Sequence, residues 1–280
     1  MLTPEQKTSY WQNGYLVLSG FKSLPEIASV SQRAREIVEA FEPPPTAAIF
    51  TTNDQSRTAD DYFLGSADTI RCFFEEEAFE GDSQHRRLKQ AKALSINKIG
   101  HALHDLDPVF AAFSRGPELA ALASDLGLVA PQIWQSMVIF KQPGIGGEVR
   151  WHQDATFFGT TPITVTTFWF ALEEATRHTG CLWVHPGGHR GPLRERFVRS
   201  ANDQVSMEKL DATPWPDEST SVAVEVSAGS LVVMHGLLPH YSAPNRSAVS
   251  RLAYTLHVTD GRSVYSPLNW LQRRSAGDRV

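Results

Sequence analysis

Ile133-Trp134-Gln135-Ser136-Met137-Val138-Ile139-Phe140-Lys141 is a short run of β-branched and aromatic residues closed by the turn cluster Pro143-Gly144-Ile145-Gly146-Gly147. Such a run, bounded by glycine and proline, reads as a strand. The same signature returns at Thr164 to Leu172, Cys181 to Val184, Val222 to Val226, Leu231 to His235 and Arg251 to Val258, with Pro186-Gly187-Gly188 among the intervening breaks. Short strands at this density with turn-rich connections predict antiparallel sheets folded into a jelly roll or barrel from about residue 131 to 260.

Ahead of Pro131 the pattern changes. Thr3-Pro4-Glu5 carries an N-cap residue followed by proline at the first helical position, and Gly14 closes the short helix it starts before Tyr15-Leu16-Val17-Leu18, which reads as a strand. From Pro25 to Phe41, Ile27, Val30, Ala34, Ile37, Val38 and Phe41 recur at three- and four-residue steps, so one buried stripe is expected until Pro43-Pro44-Pro45. Thr46 to Asp61 reads as a loop without periodicity, and further helices are expected around Asn97 to His104 and from Pro117 to Leu126. The fold class is therefore α+β, one domain over residues 1–280, helix-rich over 1–130.

The 26 Lys and Arg against 31 Asp and Glu leave a mild negative charge, which argues against nucleic acid or anionic membranes as partners. Cys72 and Cys181 lie far apart without a CxxC, so neither a disulfide framework nor a structural zinc site is expected. No apolar stretch approaches the roughly 20 residues that span a bilayer. The N-terminus lacks a signal-peptide layout, so a cytoplasmic protein of open oligomeric state is expected.

The chemistry gathers at Trp151-His152-Gln153-Asp154. On a strand, His152 and Asp154 would point to the same face as a bidentate claw. His240 follows the apolar strand that starts at Leu231, and two imidazoles with one carboxylate suit one face of an octahedral Fe(II), leaving positions open for a co-substrate and O2. An HxD pair alone is common by chance. The ordered set of HxD, distant histidine and a following Arg251, whose planar fork suits a carboxylate, carries far more.

These motifs, together with Gly180-Cys181-Leu182-Trp183-Val184-His185-Pro186-Gly187-Gly188-His189, Ser95-Ile96-Asn97-Lys98-Ile99-Gly100-His101, Phe140-Lys141-Gln142-Pro143 and Ser266-Pro267-Leu268-Asn269-Trp270, resemble the phytanoyl-CoA dioxygenase family over nearly the whole chain. The resemblance implies a double-stranded β-helix, a cupin-like jelly roll, with supporting helices. It implies catalytic iron at His152, Asp154 and His240, and 2-oxoglutarate contacts at Lys98, Met137, Trp169, Ser242 and Arg251. It further implies a dioxygenase acting on a small organic substrate, hydroxylation by default, with succinate and CO2 released. Asp154 stands where halogenating relatives carry Gly or Ala. The chain departs from the family pattern at Trp151, where a relative has proline, and at Gly188, where PGSH has serine. Its C-terminal Asp278-Arg279-Val280 is not the address of a peroxisomal relative.

Plainer readings stand beside these. A non-catalytic jelly roll that binds metal and 2-oxoglutarate for sensing would keep the same residues, and a cupin-like zinc hydrolase would use the same triad without needing Arg251 or Lys98. His101 and His104 are expected to pack on one helical face, His185 and His189 to flank a turn, and His235 and His257 to be core histidines. Trp134, Trp151, Trp169, Trp183, Tyr62-Phe63 and Phe73-Phe74 are expected to be packing residues, and Glu75-Glu76-Glu77 a solvated surface.

Overall fold

Alternate residues of the strand Arg251–Asp260 enter two different interiors. Leu252, Tyr254, Leu256 and Val258 join one apolar cluster, whereas Ala253 belongs to a second. Period-two alternation then turns Arg251, Thr255 and His257 to the same side as Ala253. The neighbouring strands repeat the division. Phe168, Phe170, Leu231 and Val233 lie in the first cluster, and Trp169, Ala171, Val232 and Met234 in the second.

The computed structural model describes residues 1–44, 49, 61–81 and 87–273. Most of the loop expected over Thr46 to Asp61 falls outside them. Among the described residues, a seven-stranded antiparallel sheet runs in the order Tyr15–Leu18, Leu231–His235, Thr166–Ala171, Arg251–Asp260, Pro131–Lys141, Ile96–His101, Ile70–Phe74. A four-stranded antiparallel sheet, Val222–Val224, Leu182–Val184, His240–Ser242, Val149–His152, covers its inner face. The cluster holding Trp169, Ala171, Leu182, Val184 and Ala253 fills the space between the sheets. The expected jelly roll is present.

Helices cover the outer face of the large sheet. Pro4–Asn13 begins with a capping box in which Thr3 accepts from the Gln6 amide, and ends at Gly14 with φ 80°. A Cβ at Gly14 would also meet His189 Nδ1 at 2.4 Å, so the turn needs glycine twice over. Leu24–Ala40 has a second capping box, Ser23 with Glu26, and buries Ile27, Val30, Ala34 and Val38 against the large sheet's outer cluster. Pro117–Asp125 buries Leu119, Leu122 and Ala123 in the same cluster.

The front half corrects one expectation. Asn97 to His101 is strand, not helix, and pairs Lys98 with Ile139 and Gly100 with Met137. His101 and His104 therefore share no helical face. His101 ends the strand with its Nδ1 2.7 Å from Ser66 Oγ, while His104 lies in the short helix Leu103–Leu106 with its Nδ1 2.7 Å from Ser136 Oγ. Tertiary pairing on both sides, with Pro131–Lys141 and Ile70–Phe74, outweighs a short stretch's local pattern. No helix among the described residues is long and apolar enough to cross a membrane.

Candidate active site

The strand pair at the mouth of the small sheet sets the centre. His240 is the register partner of His152, and their rings lie 4.1 Å apart between centroids. Asp154 follows in the single turn Asp154–Thr156 rather than on the strand itself. The expected same-face claw is thus a strand end plus a turn, with Gln153 as the hinge. Fully buried Gln153 donates to the carbonyls of Pro192 and Leu237 and accepts from the Arg194 amide, which pins the turn from behind.

Nε2 of His152 and of His240 lie 3.7 and 3.8 Å from Asp154 Oδ1. The Nδ1 atoms face main-chain carbonyls, Arg150 O at 2.8 Å and Leu238 O at 3.0 Å. A carbonyl only accepts, so each Nδ1 carries the proton and each Nε2 keeps its lone pair for a metal. Burial, then the neighbouring His240, pushes the His152 pKa down to about 3, so the ring is neutral at ordinary pH. Burial works to raise the Asp154 pKa, but His240, His257 and His152 overcome it and hold the carboxyl well below the usual range. Ligand atoms of His152, Asp154 and His240 lie within 4.8 Å of one another, and this donor set, two imidazoles and a carboxylate, fits a divalent transition metal.

His257 also belongs to this centre. Its Nε2 lies 3.4 Å from Asp154 Oδ1, and Thr167 Oγ donates to the other carboxylate oxygen at 2.5 Å. The ring stacks on Phe158 with centroids 4.6 Å apart. The core-histidine reading holds for its burial but misses this contact. The available signal was its period-two relation to Arg251 on the same strand.

Further along the inner face stands Arg251, 2% exposed, with its guanidinium carbon 5.4 Å from the Trp169 ring. Its Nη2 reaches Ser242 Oγ at 3.4 Å, whereas Nε and Nη1 are buried without an acceptor. Burial draws the Arg251 pKa down to about 10, which still leaves a cation at neutral pH. A buried cation with two orphaned donors asks for an anion, and a carboxylate matches the fork. Lys98 and Met137 share this face through their register with Ile139, Ala253 and Thr255. Burial pulls the Lys98 pKa down to about 7, with Glu75 opposing the fall.

The other sequence-based readings divide. Trp183 and Trp134 are core residues, and Trp151 stacks on Tyr241 at 5.3 Å. The turn expected here is Gly188–Arg190, with His185 ahead of it and His189 inside it. Gly188 has a packing reason, since a Cβ there would meet His185 and Pro239 at 2.8 Å. Glu76 and Glu77 are exposed, but Glu75 is buried at 1%, which corrects its reading as solvated surface.

Comparison with known proteins agrees with this geometry. The family model described as phytanoyl-CoA dioxygenase (PhyH) matches residues 10–253. "Phytanoyl-CoA dioxygenase 1" of Oryza sativa subsp. japonica is 47% identical over 98% of this chain and 95% of its own. "Phytanoyl-CoA dioxygenase domain-containing protein 1" of Bos taurus is 42% identical over 97% and 95%. Among solved structures, the non-heme α-ketoglutarate-dependent carbocyclase SnoK from nogalamycin biosynthesis superposes with a TM-score of 0.67 at 20% identity, covering 100% of this chain and 93% of its own. EctD from S. alaskensis, crystallised with 2-oxoglutarate and 5-hydroxyectoine, gives 0.65 at 20% identity, covering 99% and 85%. These likenesses at low identity speak for the fold, and the family match with the triad speaks for an enzyme that uses iron and 2-oxoglutarate. The chain belongs to the phytanoyl-CoA dioxygenase family.

Proposed function

We propose that this protein hydroxylates a small organic substrate, with His152, Asp154 and His240 holding Fe(II) and with Lys98, Met137, Trp169, Ser242 and Arg251 lining the 2-oxoglutarate site. The observation that carries the reading is the triad, in which both imidazoles turn an unprotonated Nε2 toward one carboxylate oxygen. Bound iron with 2-oxoglutarate supplies the oxidising chemistry, consuming O2 and releasing succinate and CO2.

The protein's own part is to place and to exclude. Arg251 meets the far carboxylate of the co-substrate with its planar fork, and the Trp169 ring lies beside it. Thr167 and His257 hold Asp154 in one orientation. His152 is partly open while Asp154 and His240 are buried, so the prime substrate approaches from the His152 side. In this reading residues 1–280 work as one unit, the front half contributing Lys98 to the site.

The test is anaerobic loading with Fe(II), then O2 and 2-oxoglutarate with candidate metabolites, following succinate and the incorporation of labelled oxygen into product. Substrate-dependent succinate with one labelled oxygen atom is expected. Binding of 2-oxoglutarate without succinate under any condition would favour the non-catalytic jelly roll, and a halogenated product in excess chloride would overturn hydroxylation.

A further inference from the structure

Glu75 lies just past the edge strand Ile70–Phe74 and is 1% exposed. Its Oε2 accepts from Asn97 Nδ2 at 2.9 Å and from the Gly147 amide at 3.2 Å, while Oε1 is buried without a hydrogen-bond partner. The carbonyl of the same Gly147 accepts from Lys141 Nζ, which also reaches Ser242 O at 3.1 Å and Ala243 O at 2.8 Å. The Gly147 peptide is therefore held from both sides, two residues before the strand that ends at His152. A Cβ at Gly147 would stand 3.1 Å from Glu75 Oε2, so the glycine permits the approach.

The charged groups that face Glu75 are Lys98 on the adjoining strand, Lys141 beyond it, Arg251 on the inner face, and Arg246, itself paired with Glu77 at 2.6 Å. Burial raises the Glu75 pKa to about 7, against the pull of Asn97, Gly147 and these lysines. An acid this well buried beside a lysine of the co-substrate site is a costly arrangement unless the charge is used.

We propose that Glu75 is a positioning residue of the 2-oxoglutarate site: its carboxylate clamps the Gly147 peptide that leads to His152 and supplies the counter-charge to Lys98. The inference rests on Lys98 meeting the co-substrate, as in the function proposed above. Its consequence is a sign. The Lys98 ammonium is the form that attracts a carboxylate, and burial favours its loss as pH rises. Removing the Glu75 charge moves that loss to lower pH.

Glu75→Gln separates the two roles, because an amide oxygen at the Oε2 position still accepts from Asn97 and Gly147. Binding of 2-oxoglutarate to the Fe(II)-loaded protein is measured anaerobically by calorimetry between about pH 6 and 9. Affinity within about twofold of wild type at the acid end and about tenfold weaker at the alkaline end is expected, with iron content unchanged, one pKa unit being a factor of ten. Glu75→Asp keeps the charge and should keep the wild-type profile. Lys98→Met, with Glu75 in place, should abolish the alkaline fall, which serves if the Gln variant does not fold. Parallel profiles for wild type and Glu75→Gln, or an alkaline fall that survives in Lys98→Met, overturn the proposal. Indifference of binding to Arg251→Lys would instead overturn the co-substrate site itself.

Discussion

At the triad both imidazoles are tethered through Nδ1 to main-chain carbonyls and the carboxylate is held by Thr167 and His257, so every donor is aimed before any metal arrives. At the Arg251 end the reverse holds: the guanidinium is buried on Trp169 with two nitrogens, Nε and Nη1, lacking acceptors. The first region is oriented by the protein alone, and the second leaves donors for an anion to meet. On the function proposed above, the contrast makes metal affinity depend on local main-chain geometry and co-substrate affinity on the relief of a desolvated charge. Variants at the two ends should therefore fail differently.

The largest effect is expected at the triad. His240→Ala removes one of two imidazoles from the donor set, and succinate formation should fall to background with iron content well below stoichiometric. Wild-type succinate production by this variant with added Fe(II) would refute the assignment. At the other end, Arg251→Lys replaces a two-pronged donor by a point charge. The dissociation constant for 2-oxoglutarate should rise about 10- to 100-fold, equivalent to about 1.4–2.8 kcal/mol, with iron content unchanged. Loss of iron in this variant would erase the distinction between the two ends.

A middle case sharpens the boundary. His257 lies on the same strand as Arg251 yet touches Asp154, so it belongs to the triad by contact and to the Arg251 face by register. His257→Phe preserves stacking on Phe158 and deletes the Nε2 contact. Iron affinity is expected to weaken about tenfold, the lower end of what outer partners of metal ligands contribute, while 2-oxoglutarate affinity of the metal-loaded protein stays within about twofold. A change in co-substrate affinity alone would move His257 to the other region.

The same contrast explains what could be read from the chain beforehand. Leu231–His235 and most of Pro131–Lys141 announce themselves because strands between two apolar layers are continuously hydrophobic. Ile96–His101 does not, since Lys98 and Gly100 on its inner face interrupt the apolar run, and the local pattern passes for helix. The triad was legible because its chemistry needs particular residue types in order. His257 and Glu75 were not, because a buried histidine and an acidic run have common plain explanations, and only the register and the Gly147 loop bring them to the site.

The smallest effect tests whether crowding next to a ligand passes into the metal centre. Gly188 packs where a Cβ would lie 2.8 Å from the Pro239 ring, and Pro239 directly precedes His240. The turn Gly188–Arg190 also leans on the N-terminal helix, because Gly187 donates to Asn13 O at 2.8 Å and the His189 ring nitrogen lies 3.1 Å from Trp11 O. Gly188→Ser therefore forces either Pro239 or the turn to shift, at about 1–3 kcal/mol for overpacking. The turn is the softer element, since it is held to the helix by few bonds, whereas the register of His240 with His152 and Val184 fixes Pro239 from the sheet side. The midpoint of thermal unfolding should fall by a few degrees, with iron content and 2-oxoglutarate affinity unchanged. Weaker iron binding at unchanged stability would show that the strain runs through Pro239 into the metal centre, and that the triad is less insulated than its carbonyl tethers imply.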